Sequence, residues 1–525
     1  MRTIFRLSTW VMLVIAHLVV SGCGPDPGDV TSTLISNAVV IDGSGGPRVI
    51  ASVRIDNDRI VGVGQLEALP GEAMIDANGM VLAPGFIDTH SHHDYNIGEY
   101  RHMPGVLTQG VTTIVRGADG SSGTADAYGY LSQAEFNQAF SEQPAAVNVA
   151  SFSPHGDIRY AAMGDDFKRE ATAAEVEAMA NLVEADMRAG AIGLGSGLEY
   201  EPGIHSSTEE VIALAKVASR FGGGYMSHLR DEDDRFMDAL DEIIRIGREA
   251  DLPVQVSHIK LADKMYWGST ANVIDKLEAA REEGVMISAD IYPYLRWQSN
   301  LAILFPDRDF TNEEAAVFTF ERTSAPEDIV ISRYMPNRDF DGMTVAEIAR
   351  VTERDPVTTL LELTQEADRY LQETGQGGAS IIAKGMDEND IIDLLRWRFT
   401  NICSDGGHGG RHPRGYGAFP RVLRRYVREL GVISLEEAIH KMSGLAADAM
   451  NLKFRGRIEV GNYADLVLFD PEKIADRSTM DDPTAVSVGI INVWVNGEMV
   501  FANNESTGVY SGRIVTLKDT DEGNR

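Results

Sequence analysis

Apolar positions change their period twice along the chain. From Thr31 to about Leu82 they alternate in short runs broken by turn residues: Ser32-Thr-Leu-Ile35, Ala38-Val-Val-Ile-Asp42 and Val53-Arg-Ile-Asp-Asn-Asp-Arg-Ile-Val-Gly-Val-Gly64. Asp56-Asn-Asp58 is turn chemistry between two such stretches and predicts a β-hairpin. Similar runs return near the far end, in Ala464-Asp-Leu-Val-Leu-Phe-Asp470 and Ile491-Asn-Val-Trp-Val-Asn-Gly-Glu-Met-Val500. One small sheet domain is therefore expected from both ends, residues 31–82 and 453–515. In the middle, 83–452, short apolar runs alternate with segments of helical period such as Glu209 to Phe221 and Asp233 to Glu249. Repetition of that kind builds βαβ units on a parallel sheet. The stretch 297–392 is longer than one βα connection needs and reads as an insertion, part of it a candidate lid.

Several short runs end on groups that bind metals. Pro84-Gly-Phe-Ile-Asp-Thr-His-Ser-His92 places His90 and His92 one residue apart, and in an extended chain side chains at i and i+2 point to one face. His228 closes Tyr225-Met-Ser-His228, and His258 closes Val254-Gln-Val-Ser-His258 thirty residues later, about the length of one βα unit. Asp405 follows Thr400-Asn-Ile-Cys-Ser404. Imidazoles and carboxylates at the tips of different strands are what the catalytic mouth of a (β/α)₈ barrel presents. Any one of these histidines alone would be a structural or surface residue; the paired spacing and the repeated strand-end context favour a metal site.

Composition narrows the partners. The chain has 525 residues, 43% of them hydrophobic, which supports a large core and more than one domain. A net charge of −32, spread along the chain, argues against nucleic acid or an anionic membrane as partner of a basic surface. Met1-Arg-Thr-Ile-Phe-Arg6 is basic, and Trp10 to Val20 is apolar apart from His17. That stretch is too short for a stable span and reads as an export signal, 1–23, followed by a tether, 24–30. Val20-Ser-Gly-Cys23 resembles a bacterial lipobox, which implies lipidation of Cys23. Gly24 after it favours the outer membrane, facing the periplasm. Cys403 is then the single remaining thiol, so no intrachain disulfide is expected.

Ten segments in order carry a wider resemblance: Pro84 to His92, Gln109-Gly-Val-Thr-Thr113, Gly197-Leu-Glu-Tyr200, Ser227-His-Leu-Arg-Asp-Glu232, Ser257-His-Ile-Lys260, Asp290-Ile-Tyr-Pro-Tyr294, Ser404-Asp-Gly406, His412-Pro-Arg414, Gly417-Ala-Phe-Pro-Arg-Val-Leu423 and Arg455-Gly-Arg-Ile-Glu-Val-Gly461. Together they resemble the amidohydrolase superfamily, and within it the N-acyl-D-amino-acid deacylases (D-aminoacylases), over nearly the whole mature chain. The resemblance implies an α/β fold, a (β/α)₈ TIM barrel carrying a small β-sandwich, with zinc at the barrel mouth and hydrolysis of N-acyl-D-amino acids. Its matched metal ligands are His90, His92, Asp119, His228, His258 and Asp405. Two departures stand out. The family typically has Asn-Cys-Gly where this chain has Ala118-Asp119-Gly120; a carboxylate is a harder ligand than a thiolate, suits zinc at similar distances and can bridge two ions. Two zinc ions rather than one are therefore expected, His228 and His258 on one, His90, His92 and Asp405 around the other, Asp119 between. Leu295-Arg-Trp-Gln-Ser-Asn300 replaces a run of small residues and is expected to border the substrate.

Amide hydrolysis needs a nucleophile, and metal coordination lowers the pKa of water from ~15.7 to about 7. By resemblance Asp405 is the general base and acid, and Tyr294 a donor to the developing oxyanion. Lys260 and Arg414 match positions that bind the substrate carboxylate, with a plain salt bridge as the alternative for Lys260. His155, in Ser153-Pro-His-Gly-Asp-Ile-Arg159, is a candidate wall residue. Arg230, Asp231 and Glu232 are expected to brace His228. His93, Asp94 and His102 are supporting or surface groups, His205 and His440 structural, and His408 with Arg411 sits in a mobile mouth loop. Three other functions remain open: a dipeptidase acting before a C-terminal D-residue, a non-catalytic binding lipoprotein, and a cyclic-amide hydrolase, which Lys260 and Arg414 disfavour.

Overall fold

The computed structural model describes residues 32–122 and 130–518. The export signal, the tether and Cys23 lie outside the described residues. Eight parallel strands carry the site: β1 Phe86–Asp88, β2 Val111–Arg116, β3 Asn148–Ser151, β4 Gly193–Gly197, β5 Gly224–His228, β6 Val254–Val256, β7 Ile287–Ile291 and β8 Thr400–Ile402. Parallel ladders join β1 through β3 and β4 through β8. The Ile192 amide donates to the Ser151 carbonyl at 2.8 Å, linking β3 to β4. The ring closes where the Asp405 amide donates to the His90 carbonyl at 2.9 Å and Ser91 bridges Gly406. That closure sets the tips of the first and last strands side by side. The protein is thus a TIM barrel with a small β domain.

Local sequence explains the helices around the ring. Phe236–Ala250 buries Phe236, Leu240, Ile243, Ile244 and Gly247 on one face, and leaves Asp238, Asp241 and Glu249 in solvent. Thr208–Ser219 starts where the Ser207 side chain accepts from the Glu210 amide. The two helices expected over 209–221 and 233–249 are these, displaced by one to three residues.

Strands from both ends form one nine-stranded sheet, joined where Val81–Pro84 runs antiparallel to Leu466–Phe469. The hairpin around Asn57 pairs Val49–Asp56 with Arg59–Gly64. The sheet forks at Thr33–Val40, whose first half pairs with Ala73–Asp76 and second half with Val81–Pro84. It encloses its own core of Ile35, Val53, Ile60, Leu466 and Trp494. Between β7 and β8 lies the inserted segment, an antiparallel sheet of Arg296–Asn300, Ala379–Lys384 and Ile329–Tyr334 with helices Val345–Val351 and Pro356–Thr374. It hangs over the barrel mouth and lends Gln298, Ser299 and Ser380 to the cavity wall.

Candidate active site

The six expected ligands come together at the C-terminal mouth. Asp119, in the loop after β2, lies between two groups of imidazoles. Its Oδ2 is 3.1 Å from His90 Nε2 and 3.4 Å from His92 Nε2, and its Oδ1 is 3.6 Å from His258 Nε2. Asp405 Oδ1 is 3.3 Å from His92 Nε2 and 3.8 Å from His90 Nε2. His228 Nδ1 and His258 Nε2 are 3.1 Å apart. Ligand atoms thus gather in two sets that share Asp119: His90, His92 and Asp405 on one side, His228 and His258 on the other. Neither ring nitrogen of His90 nor Asp119 Oδ1 makes a hydrogen bond, although all are buried. Buried polar atoms are nearly always satisfied, so unsatisfied donors of this chemistry fit a bound divalent cation.

Backbone geometry aims the ligands. His258 and Asp405 hold φ of 32° and 47°, a left-handed conformation that costs roughly 1–3 kcal/mol for a non-glycine residue. Each therefore leaves its strand sharply, turning the side chain inward. A buried carboxylate fixes the turn: Asp290 on β7 accepts from the His258 amide, the Thr89 hydroxyl at 3.0 Å and the Gln255 side-chain amide at 2.8 Å. Gly197 ends β4 without a side chain because a Cβ there would lie 2.5 Å from the Asp119 carbonyl.

The electrostatics match a cation site. Burial alone would raise Asp119, but His90, His258 and His92 hold it well below the carboxylate range. Burial likewise opposes ionisation of Asp405, and Arg414 with the imidazoles outweighs it. Burial pulls His228 down to about 4. His258 is buried too and repelled by Lys260, yet Glu232, Asp405 and Asp119 carry it up to about 9. Two buried carboxylates kept ionised among imidazoles are the charge complement of a divalent cation.

Other expected residues land differently. Tyr294 does not face the cavity: its hydroxyl is 3.5 Å from the Pro413 carbonyl and its ring packs against Arg421. Tyr292 occupies the place expected of it. Its buried hydroxyl has no partner, and its ring lies 6.4 Å from His258 and 4.7 Å from the Arg414 guanidinium. His155 is also corrected: it starts a helix, is fully buried and meets Glu210 at 2.9 Å, behind the cavity wall. Arg414 pairs with Asp405 at 2.6 Å, and Lys260 with Glu232 at 2.6 Å, so both cations are engaged by protein carboxylates while lining the inner cavity. His408 is packed rather than loose, its ring on Tyr100 and its Nδ1 3.4 Å from that of His93.

Two supporting carboxylates stand behind the second imidazole set. Glu199 Oε2 is 2.7 Å from His228 Nε2, and Glu232 Oε1 is 3.3 Å from His258 Nδ1. Sequence reasoning misses Glu199, although it sits in the Gly197-Leu-Glu-Tyr200 motif, and expects of Glu232 only a brace for His228. In front of the ligands opens a cavity of about 600 Å³, with His92, Asp119, Asp405 and Arg414 in its floor.

Imidazoles and carboxylates at the strand tips of a closed barrel define a metal-dependent TIM-barrel hydrolase. The chain belongs to the amidohydrolase family, whose model matches residues 73–311 and 403–501; the unmatched middle holds most of the inserted segment. It is 35% identical to a D-aminoacylase of Alcaligenes xylosoxydans xylosoxydans over 502 residues, 92% of this chain and 97% of the relative. It is 36% identical to an N-acyl-D-glutamate deacylase of the same organism, covering 89% and 93%. Among solved structures, the N-acyl-D-glutamate deacylase of Bordetella bronchiseptica, in complex with zinc and a phosphonate mimic of the tetrahedral intermediate, superimposes with a TM-score of 0.80 at 33% identity, covering 92% of this chain and 99% of that one.

Proposed function

We propose that this protein hydrolyses the amide of N-acyl-D-amino acids, releasing a carboxylate and a D-amino acid, with zinc as its metal and two ions per chain. The observation that carries the reading is Asp119, whose two oxygens face two separate sets of imidazoles. Support comes from the relatives, which act on N-acyl-D-amino acids by name.

His90, His92 and Asp405 would hold one ion, His228 and His258 the other, with Asp119 shared. A metal bound there supplies Lewis acidity for the scissile carbonyl and acidifies water near neutral pH. Asp405 is the base: Oδ1 faces the ligand cluster while Arg414 grips Oδ2, so one oxygen is fixed and the other is aimed where a water proton must go. The same carboxyl then delivers that proton to the leaving nitrogen. Tyr292, with its free hydroxyl, donates to the oxyanion or to the D-residue carboxylate. Arg414 supplies the cationic side of that inner end.

The deciding measurement is turnover of N-acetyl-D- and N-acetyl-L-amino acids by zinc-reconstituted protein, with metal analysis on the same sample. Hydrolysis of D-substrates with about two zinc per chain is expected. L-selectivity, or full activity at one zinc, would overturn the corresponding part. The proposal includes export and lipidation of Cys23, checked by the mass of the mature N-terminus.

A further inference from the structure

The seam where the barrel closes is built differently from its neighbours. Backbone ladders join β4 through β8, but among the described residues no ladder joins β8 to β1, and the only bridge is Ser91 with Gly406. The chain changes partner at a single residue. The Cys403 amide still donates to the Ile291 carbonyl on β7 at 3.1 Å. The Ser404 amide instead donates to a side chain on β1, Asp88 Oδ1, at 2.8 Å. Its hydroxyl donates to Oδ2 of the same carboxylate at 2.6 Å and accepts from the Gly406 amide at 3.1 Å. Asp88 and Ser404 are both buried, and Asp88 lines neither cavity.

Asp405 lies in the middle of this arrangement. Its own amide donates to the His90 carbonyl at 2.9 Å. Three consecutive amides, those of Ser404, Asp405 and Gly406, thus end on acceptors that belong to residues 88–90 or are oriented by them. Buried backbone donors are nearly always paired, and a left-handed residue other than glycine persists only where its surroundings over-determine it. At Asp405, with φ of 47°, the Asp88 carboxylate supplies that constraint. Without it the Ser404 amide loses its acceptor, and the hydroxyl that holds the Gly406 amide loses its anchor. Hydrogen bonds to an ionised acceptor are roughly twice as strong as neutral ones. A regular ladder at this seam would keep Asp405 extended; the side-chain clamp closes the barrel and still permits the turn.

We propose that Asp88 is a positioning residue for the reaction: through Ser404 it fixes the turn at Asp405, and so the line along which that carboxyl takes and returns its proton. The inference rests on Asp405 being the base of the proposed hydrolysis. Asp405 Oδ1 faces the ligand imidazoles while Arg414 holds Oδ2, so the aim of the carboxyl follows the backbone that carries it. Aim matters because a misplacement of about 1 Å costs roughly a hundredfold in rate.

The test is a mutant cycle on zinc-loaded mature protein with N-acetyl-D-leucine as substrate. Ser404→Ala removes the hydroxyl with little change in volume, and Asp88→Asn removes the charge at constant size. Each should lower kcat roughly tenfold to a hundredfold, with KM within about twofold and metal content unchanged. In the Asp405→Asn background neither substitution should slow the residual turnover further, because the group they aim is gone. Where that residual rate escapes detection, the Ser404→Ala, Asp88→Asn double variant replaces it and should be no slower than the worse single variant. Should Asp88→Asn misfold, Ser404→Ala decides alone. Turnover of folded Ser404→Ala within about twofold of wild type, a proportional loss that persists in Asp405→Asn, or a loss that excess zinc restores overturns the inference and leaves the hydrolysis standing. Near-wild-type turnover of Asp405→Asn, or none by the wild type, overturns both.

Discussion

His228 and His258 each have a carboxylate behind them, Glu199 at 2.7 Å and Glu232 at 3.3 Å. His90 and His92 have none among the described residues, and a quarter of the His92 side chain is open to solvent. The ligands on β5 and β6 are therefore fixed in rotamer and ring orientation before any ion arrives. Those that follow β1 are met, among the described residues, by Asp119 and Asp405, which are themselves ligands, and by ring contacts of His90 with His258 and of His92 with Tyr95. Supporting carboxylates of this kind are worth roughly 10–100-fold in metal affinity. The difference suggests a division of labour: a tightly built half that keeps its metal, and a more open half where Asp405 moves protons.

That division is tested most severely at Asp405. Asp405→Asn keeps the size and one oxygen of the side chain but cannot accept a proton. Loss of general acid–base help of this kind typically costs about 10²–10⁴ in rate, and kcat should fall by that amount while metal content holds. If turnover stays near wild type, the open half is not where the proton moves. Tyr292→Phe is the next largest effect, about 10²–10³ in kcat for a lost oxyanion donor. Tyr294→Phe is the matched control and should alter kcat less than about twofold, since its hydroxyl is directed at Pro413.

The contrast between those two tyrosines also marks the limit of what the sequence discloses. In Asp290-Ile-Tyr-Pro-Tyr294 both tyrosines would share a face if the strand continued. β7 ends at Ile291, and the Tyr294 amide donates to the Tyr292 carbonyl at 3.0 Å, a tight turn that sends the rings apart. His155 is lost to the same kind of cause: the helix it opens directs its ring at Glu210, on a neighbouring helix. The ligands themselves were legible because a short apolar run ending in His or Asp is a local pattern, and strand tips converge in a barrel whatever lies between them. The left-handed turns at His258 and Asp405 leave no local trace, nor does the approach of Glu199 to His228 across two strands. The inserted segment was legible as surplus length; its three-stranded antiparallel sheet was not, because its pairing joins Arg296–Asn300 to Ala379–Lys384 across most of the insertion.

The smallest expected effect bears most directly on the two halves. Glu199→Gln preserves shape and one hydrogen bond to His228 but removes the carboxylate. The tightly built half should then release its ion to a competing chelator about 10–100-fold more readily, while the fold, followed by thermal denaturation with metal in excess, stays intact. His92→Ala does the reverse: it strips a ligand from the open half, and about one equivalent of metal should leave with the other retained. Read together, the two variants separate supporting carboxylates from ligand count. If Glu199→Gln loosens neither ion, the carboxylate behind His228 does not set the affinity. The asymmetry would then come from solvent access at His92, which a chelator titration on the His92→Ala protein detects as a single tight site indifferent to Glu199.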